Sequence, residues 1–319
     1  MKSPYFSIIV PCYNVEKYIG EAIDSLLEQS FEDWEVIVVN DGSTDNTAQL
    51  AEQLAKKDHR IRYFSKPNEG VAATWNYAIP KARGRYCALL GSDDCWRPDY
   101  LSSQKQFIDN LGADKFLIYT NAYLIIDNIK TRRKYYPDIV NFKVSSDRIL
   151  TLQDMIISNK MFGMVVFEKR TFEEIGGFDS TLMAGEDYDF WLRAIYKGYK
   201  PIFNPMVKAY YRIRSDSLTT NRIKLLDSHY IIYSKVINSF ELSADEKNAV
   251  FQALCRTKRE QLLDAIKTKV RSHTAIKNEL AELGKLDCDR KIKLLKLIIK
   301  ISPTLAERTV IQYFSLKHS

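Results

Sequence analysis

The chain has 319 residues, of which 45% are hydrophobic, 27% charged and 12% aromatic, a globular composition that excludes a disordered, collagen-like or disulfide-stapled protein. Its net charge of +7 would suit a polyanion binder, but the charge is unevenly spread. Residues 1–220 carry 28 basic and 29 acidic side chains and residues 221–319 carry 19 and 11, so charge alone does not make the front of the molecule a nucleic-acid surface.

In chain order, Phe6 to Val10 reads as a buried strand, and Val15 to Gln29 as a helix with Ile19, Ala22, Ile23, Leu26 and Leu27 on one face. Trp34 to Asn40 is a second buried strand, followed by the turn Asp41 to Thr47 and a helix over 48–57. Arg62 to Ser65 is a third strand, Gly70 to Lys81 a helix, and Tyr86 to Leu90 a fourth strand running into Gly91-Ser-Asp-Asp94. Pro98 opens a helix to about Asn110, and Phe116 to Thr120 is another strand. Residues 121–160 are less regular, and the basic cluster Lys130 to Lys134 reads as a surface hairpin. Met164 to Phe167 is a strand and Gly176 to Asp179 a turn. Ala184 to Arg193 opens a helix with Glu186, Asp187 and Asp189 in its first turn, which suits the helix dipole. Beyond 221 the pattern is helical only, with blocks at 222–239, 243–268, 273–283, 289–301 and 303–317.

This alternation predicts an α/β fold with a mainly parallel central sheet flanked by helices, over 1–220, and a basic helical extension over 221–319. In such sheets ligands bind at the carboxyl ends of the strands. Tyr13 and Asn14 follow strand one, Asp41 follows strand two, and Asp93 and Asp94 follow strand four. Each alone is a turn-former or cap; together they mark one polar rim.

The five cysteines contain no CxxC and the four histidines are scattered, which suggests neither a zinc site nor a disulfide framework. The apolar run 5–10 ends at Pro11, and no stretch reaches the length of a membrane span. A soluble protein of a reducing cytoplasm is the expectation. In Asp289 to Ile301, Lys293, Lys296 and Lys300 share one helical face while Ile292, Leu295, Ile298 and Ile299 lie largely on the other. Such a helix either lies on an anionic membrane surface, at the inner face of the membrane, or packs on the domain over 1–220 or in a homodimer.

An acidic pair such as Asp93-Asp94 can hold Mg²⁺ or Mn²⁺, which in turn binds a diphosphate. Asp41 is placed to accept hydrogen bonds from a base or ribose, and a carboxylate of the Glu186-Asp187 segment can serve as general base on a hydroxyl. There is no GxxxxGK[ST] loop, no GxGxxG after strand one and no GxSxG elbow. The order Ser7-Ile-Ile-Val-Pro-Cys-Tyr-Asn14, Val38-Val-Asn-Asp-Gly-Ser-Thr-Asp45, Asn68-Glu-Gly70 with Asn76, Leu89-Leu-Gly-Ser-Asp-Asp94, and Gly185-Glu-Asp187 with Trp191 resembles the family-2 inverting glycosyltransferases of the GT-A fold.

That resemblance implies a nucleotide diphosphate sugar donor, with a lean to UDP, a saccharide or lipid-linked saccharide acceptor, and inversion at the anomeric carbon. By position it implies that Pro11, Tyr13, Asn14 and Asn68 line the nucleotide-sugar site and that Asp41 contacts the base. Asp93 and Asp94 would form the metal element, Asp94 as the direct ligand of Mn²⁺ or Mg²⁺. Asp187 would be the catalytic base, Glu186 its neighbour and fallback, and Trp191 part of the acceptor side. The chain departs from the family pattern in Gly91, where an Asp is common, in Trp75, where an Arg is common, and in Tyr211-Arg-Ile-Arg214, where a His often occurs; Arg214 can pair with a diphosphate. Two rival readings are a sugar nucleotidyltransferase, whose Gly-rich basic loop is absent, and a nucleic-acid-binding scaffold, for which no motif is present.

Overall fold

The computed structural model describes residues 3–140, 142, 145, 148–214 and 221–268. The chain divides between Ser217 and Leu218 into two compact units. In the first, β1 (Phe6–Cys12), α1 (Ile19–Leu27), β2 (Trp34–Asp41), α2 (Thr47–Ala55), β3 (Ile61–Lys66), α3 (Val71–Ala78) and β4 (Tyr86–Leu89) alternate regularly. There follow β5 (Cys95–Trp96), α4 (Tyr100–Asp109), the hairpin β6 (Phe116–Ile126) and β7 (Ile129–Lys134), and a single turn α5 (Tyr135–Asp138). The unit is completed by α6 (Leu152–Ile157), β8 (Val165–Glu168), α7 (Lys169–Ile175), α8 (Glu186–Tyr196) and β9 (Lys200–Arg212).

The strands form one sheet in the order β3-β2-β1-β4-β8-β6-β9-β5, with β7 branching from β6. Its β3-β2-β1-β4 half is wholly parallel. All eight residues of β2 and four in a row of β4 are buried, because a parallel strand covered by helices on both faces has no wet side. The other half is mixed: β8 runs antiparallel to β4 and β6, β9 runs parallel to β6, and β5 antiparallel to β9. The chain moves outward from β1 to β2 and β3, then returns to β4 on the other side of β1. Such a reversal opens a crevice at the carboxyl ends of β1 and β4.

Three local departures from the expected elements have physical causes. Helix α1 starts at Ile19 instead of Val15, because residues 15–18 form a turn fastened to the loop after β2. Val15 N–H donates to Thr47 Oγ1 at 2.8 Å and Glu16 N–H to Asp45 Oδ2 at 3.2 Å. Strand β6 continues six residues beyond Thr120 into the hairpin expected around the basic cluster. Asp127 and Asn128 make its turn with φ of 50° and 62°, a left-handed pair suited to a tight hairpin. Strand β5 is two residues long, too short to leave a periodic signal.

The second unit, as far as described, is an antiparallel helical hairpin of α9 (Arg222–Ser239) and α10 (Ala244–Thr268). Arg222 at the start of α9 pairs with Asp264 at 2.8 Å and Glu260 at 3.1 Å near the end of α10. Gln261 Nε2 donates to Asp227 Oδ1 at 2.7 Å. Ile232, Val236, Val250 and Ala253 are buried, and Ser243 and Glu246 cap α10 reciprocally. Cys255 takes part in a disulfide, a cross-link that the cysteine spacing did not suggest, whereas Cys12, Cys87 and Cys95 are free and buried. The expected helices at 273–283, 289–301 and 303–317, and with them the amphipathic lysine face, lie outside the described residues. No helix among the described residues is long and apolar enough to cross a membrane.

Candidate active site

The residues expected at the nucleotide site gather where β1, β2 and β3 end. Asn14 has φ of 52°, a left-handed conformation that its short polar side chain tolerates. Its N–H donates to Ser43 Oγ at 3.1 Å, while its Oδ1 accepts from the Thr44 N–H at 2.8 Å. Asn14 therefore stitches the loop after β1 to the loop after β2. Pro11 lies in β1 beside Val39 of β2, and Tyr13 is 46% exposed. Gly42 has φ of +66°, and a Cβ there would stand 2.6 Å from the Asn68 nitrogen, so glycine alone lets the 66–70 loop close over it. Asn68 itself is exposed on that loop.

Asp41 is buried, and its carboxylate is engaged. It accepts from the Glu69 N–H at 3.0 Å and the Gly70 N–H at 2.9 Å, and pairs with the Lys66 ammonium. Its direct work is to hold the 66–70 loop in place. Asn76 does similar work farther along: Oδ1 accepts from the Phe178 N–H and Nδ2 donates to the Phe178 carbonyl, both at 2.8 Å. Trp75 packs on Phe178 with ring centroids 4.7 Å apart. This clamp fixes the turn that leads into α8.

The second group stands after β4. The Asp94 N–H closes a turn on the Gly91 carbonyl at 3.0 Å. A Cβ on Gly91 would lie 2.7 Å from Asp94 Oδ2 and 3.1 Å from Asp93 Oδ1. Both carboxylates thus converge on the space beside Gly91, and a side chain there would displace them. Asp94 is only 6% exposed, and burial, then the neighbouring Asp93, push its carboxyl well above the usual range. Its Oδ1 accepts from the Arg212 N–H at 2.8 Å, and Arg214 Nη1 donates to Asp93 Oδ2 at 3.1 Å.

Arg212, which the motifs did not single out, organises this corner. Its buried guanidinium donates to the Asp93 carbonyl at 2.8 Å and Asn128 Oδ1 at 2.9 Å, and pairs with Glu21. Arg212 and Arg214 both lie over the Tyr18 ring, at 4.8 Å from its centroid. The only sequence trace of this arrangement is the alternation of two arginines at the end of β9. Arg212→Met should lower stability by about 1–3 kcal/mol, the usual cost of buried polar partners left unmet, with Arg212→Lys recovering part of it. Urea unfolding midpoints would measure the loss, and an unchanged midpoint in the Met variant would show that the corner stands without it.

The third group is the first turn of α8, which Gly185 enters with φ of 71°. Glu186 is buried, and burial followed by the Asp187 charge raises its carboxyl to about 8. Asp187 is partly exposed, and burial raises it to about 6, opposed by the Tyr188 N–H, which donates to Oδ1 at 2.7 Å. Asp189, the third acid of that turn, faces away. It pairs with Arg193 at 2.8 Å, which donates to the Ile175 and Gly177 carbonyls.

Trp191 does not line an acceptor surface. It is 0% exposed and packed against Phe167, Phe178 and Phe190, so its place is under the acid pair. Large aromatics at helical spacing bury themselves unless something holds them out. Among the described residues no hydrogen bond or ion pair joins Glu186 or Asp187 to Asp93 or Asp94.

Glu186 gives a stability signature that is independent of activity. Its carboxyl is raised above the ordinary value, so its contribution to stability is fully present below about 4.5 and is lost as pH rises through about 8. Glu186→Gln removes that loss. The variant should gain in melting temperature over the native chain between pH 5 and pH 9; a constant difference would mean that Glu186 is not buried as an acid.

The 93–94 pair offers two carboxylate oxygens in one small space, a donor set for a hard divalent cation that takes its other ligands from water and a diphosphate. Among the described residues no group of three or more His, Cys, Asp or Glu is gathered. The strand-end acids stand beside Arg212 and Arg214, and a raised carboxyl stands at the start of α8. Residues 7–176 match the family model of glycosyl transferase family 2, and the chain belongs to that family.

An uncharacterized glycosyltransferase of Rickettsia bellii is 35% identical over 191 residues, which is 60% of this chain but 27% of the relative; the chain thus spans about a quarter of that relative's length. A putative teichuronic acid biosynthesis glycosyltransferase of Bacillus subtilis, TuaG, is 28% identical over 235 residues, 73% of this chain and 88% of the relative. The crystal structure of Staphylococcus aureus TarS 1–349 in complex with UDP-GlcNAc matches with a TM-score of 0.68 over 98% of this chain and 92% of that one, at 20% identity. That likeness carries the GT-A fold.

Proposed function

We propose that this chain is a metal-dependent inverting glycosyltransferase that moves a sugar from a nucleoside diphosphate sugar, UDP-linked by preference, to a hydroxyl of a saccharide or lipid-linked saccharide. The observation that carries the reading is the presence of two acid groups, Asp93-Asp94 beside Gly91 after β4 and Glu186-Asp187 in the first turn of α8. One suits a diphosphate-bound cation, and the other holds a carboxyl near the pKa of a working general base. Membership of the family, a relative named for teichuronic acid biosynthesis and a structural neighbour solved in complex with UDP-GlcNAc support it.

In this reading Pro11, Tyr13, Asn14 and the loop carried by Asp41 and Asn68 seat the nucleotide. Asp93 and Asp94 would hold Mn²⁺ or Mg²⁺, which when bound supplies neutralisation of the diphosphate leaving group. Arg214 is placed to share the phosphate charge. Asp187 accepts the proton of the acceptor hydroxyl as its oxygen bonds to the anomeric carbon. The bond from that carbon to the diphosphate oxygen breaks on the opposite face, which inverts the centre. Glu186, protonated at neutral pH, keeps a second negative charge away from Asp187. Work at a membrane face is part of the same proposal.

A ligand that binds only the folded chain raises its melting temperature. A thermal-shift screen of UDP-, GDP- and dTDP-sugars with Mn²⁺ should therefore give a metal-dependent rise with one nucleotide. No rise with any of them, with and without metal, would reject the reading.

A further inference from the structure

The basic cluster on β7 belongs to more than a solvated hairpin. Lys130, Arg132 and Lys134 line a cavity of about 570 Å³ together with Arg97, Tyr123 and Tyr210, a volume within the range of ligand sites. The row is built across strands: Tyr123 of β6 pairs in register with Tyr210 of β9 and with Lys134 of β7. Arg97 is brought in where its N–H donates to the Lys208 carbonyl at 2.8 Å. The two tyrosine rings stand 5.9 Å apart, with Lys130 at 5.1 Å from the Tyr210 centroid and Lys134 at 5.9 Å from that of Tyr123. Arg133, between them in sequence, does not line the cavity.

Among the described residues, two of the four cations in this groove have carboxylate partners and two do not. Lys130 pairs with Glu21 at 2.9 Å, and Arg97 stands 3.8 Å from Asp99. Arg132 and Lys134 pair with no carboxylate among the described residues. Four cations converging on one lining, with no acid among the lining residues, create a positive potential that draws an anion. The tyrosine floor suits the face of a ring, with the cations reaching groups attached to it. One lining residue is tied to the acid corner through side chains: Lys130 pairs with Glu21, Glu21 with Arg212, and Arg212 donates to the Asp93 carbonyl.

We propose that this groove is a second anion site, and that it binds phosphate groups carried on a saccharide acceptor. The anion site stands without the transferase reading; only the naming of its ligand as the acceptor rests on it. A concave, ring-floored groove fits a phosphorylated chain better than the flat face of a bilayer.

The test uses the full chain saturated with UDP, so that the nucleotide site is filled, and titrates tripolyphosphate calorimetrically. Binding to the native chain should weaken by about tenfold or more in R132A/K134A, as two charge-assisted contacts are lost. It should be unchanged in R133A, which loses a like charge from the same hairpin. UDP-sugar binding, measured on the same proteins, should be equal in all three and reports separately on the transferase reading. Absence of tripolyphosphate binding in the UDP-saturated native chain, equal binding by R132A/K134A, or equal loss in R133A would each overturn the site. Loss of pelleting with phosphatidylglycerol vesicles in R132A/K134A, with tripolyphosphate binding intact, would also overturn it and assign the face to a membrane.

Discussion

Asp187→Asn should lower turnover by about 10³-fold or more, at the upper part of the range for a lost general base, while donor affinity stays within about twofold, since a neutral isostere removes no donor contact. The asparagine side chain retains an oxygen for the Tyr188 N–H, so the change removes the proton acceptor and little else. Glu186→Gln is the control. If Asp187 is the base, Glu186 is protonated at pH 7 and its amide isostere should keep most of the activity. If the roles are exchanged, the Gln variant is the dead one.

The pH profile carries the same logic. Asp187 must be ionised to accept a proton, and burial places its titration at about 6. The rate of the native chain should rise about tenfold per pH unit below that value and flatten above it. Because Glu186 titrates beside it, at about 8, the two steps belong to the pair. Full turnover in Asp187→Asn, or a rate flat from pH 4 to 8, would remove Asp187 from the mechanism.

Asp94→Asn is expected to have the next largest effect. The amide can still accept from the Arg212 N–H through its oxygen, so the β4–β9 corner keeps its hydrogen bond while the negative charge is gone. Loss of a cation that neutralises the leaving group is worth several kcal/mol in the transition state, so the rate should fall about 10³-fold. Donor binding in Mn²⁺ should approach that of the native chain in chelator. Removing a buried, poorly solvated carboxyl should leave thermal stability equal or raised, which separates a lost ligand from a lost fold. Equal donor affinity for the native chain with and without chelator would sink the metal assignment.

Much of the first unit is legible in the amino acids because its signals are local. Continuous apolar runs at Phe6–Cys12, Trp34–Asp41 and Tyr86–Leu89 mark strands buried on both faces, and the polar residues just beyond them fall at one sheet edge by geometry. Gly42 and Asn14 likewise announce turns, because few other residues accept their conformation. Helix α1 was less exact. Its first turn is set by bonds to Asp45 and Thr47, thirty residues away in sequence. The side-chain roles were less legible still. Asp41, which the resemblance makes a base contact, bonds the 66–70 loop, and Trp191, which it places on the acceptor side, lies in the core.

The sequence by itself determined the fold class, the rim on which the acids stand and the family to which the chain belongs, since strand periodicity, turn chemistry and motif order are all written along the chain. Only the tertiary structure decided how each of those acids is partnered and buried. Asp189 and Asp187 are two residues apart, yet one is spent on Arg193 and the other keeps a raised carboxyl. The same holds for Arg212 and the β7 cations, which acquire meaning when β9 pairs with β5 and β6. Desolvation and charge pairing depend on neighbours distant in sequence, and those two effects set whether a carboxylate is a ligand, a base or a brace.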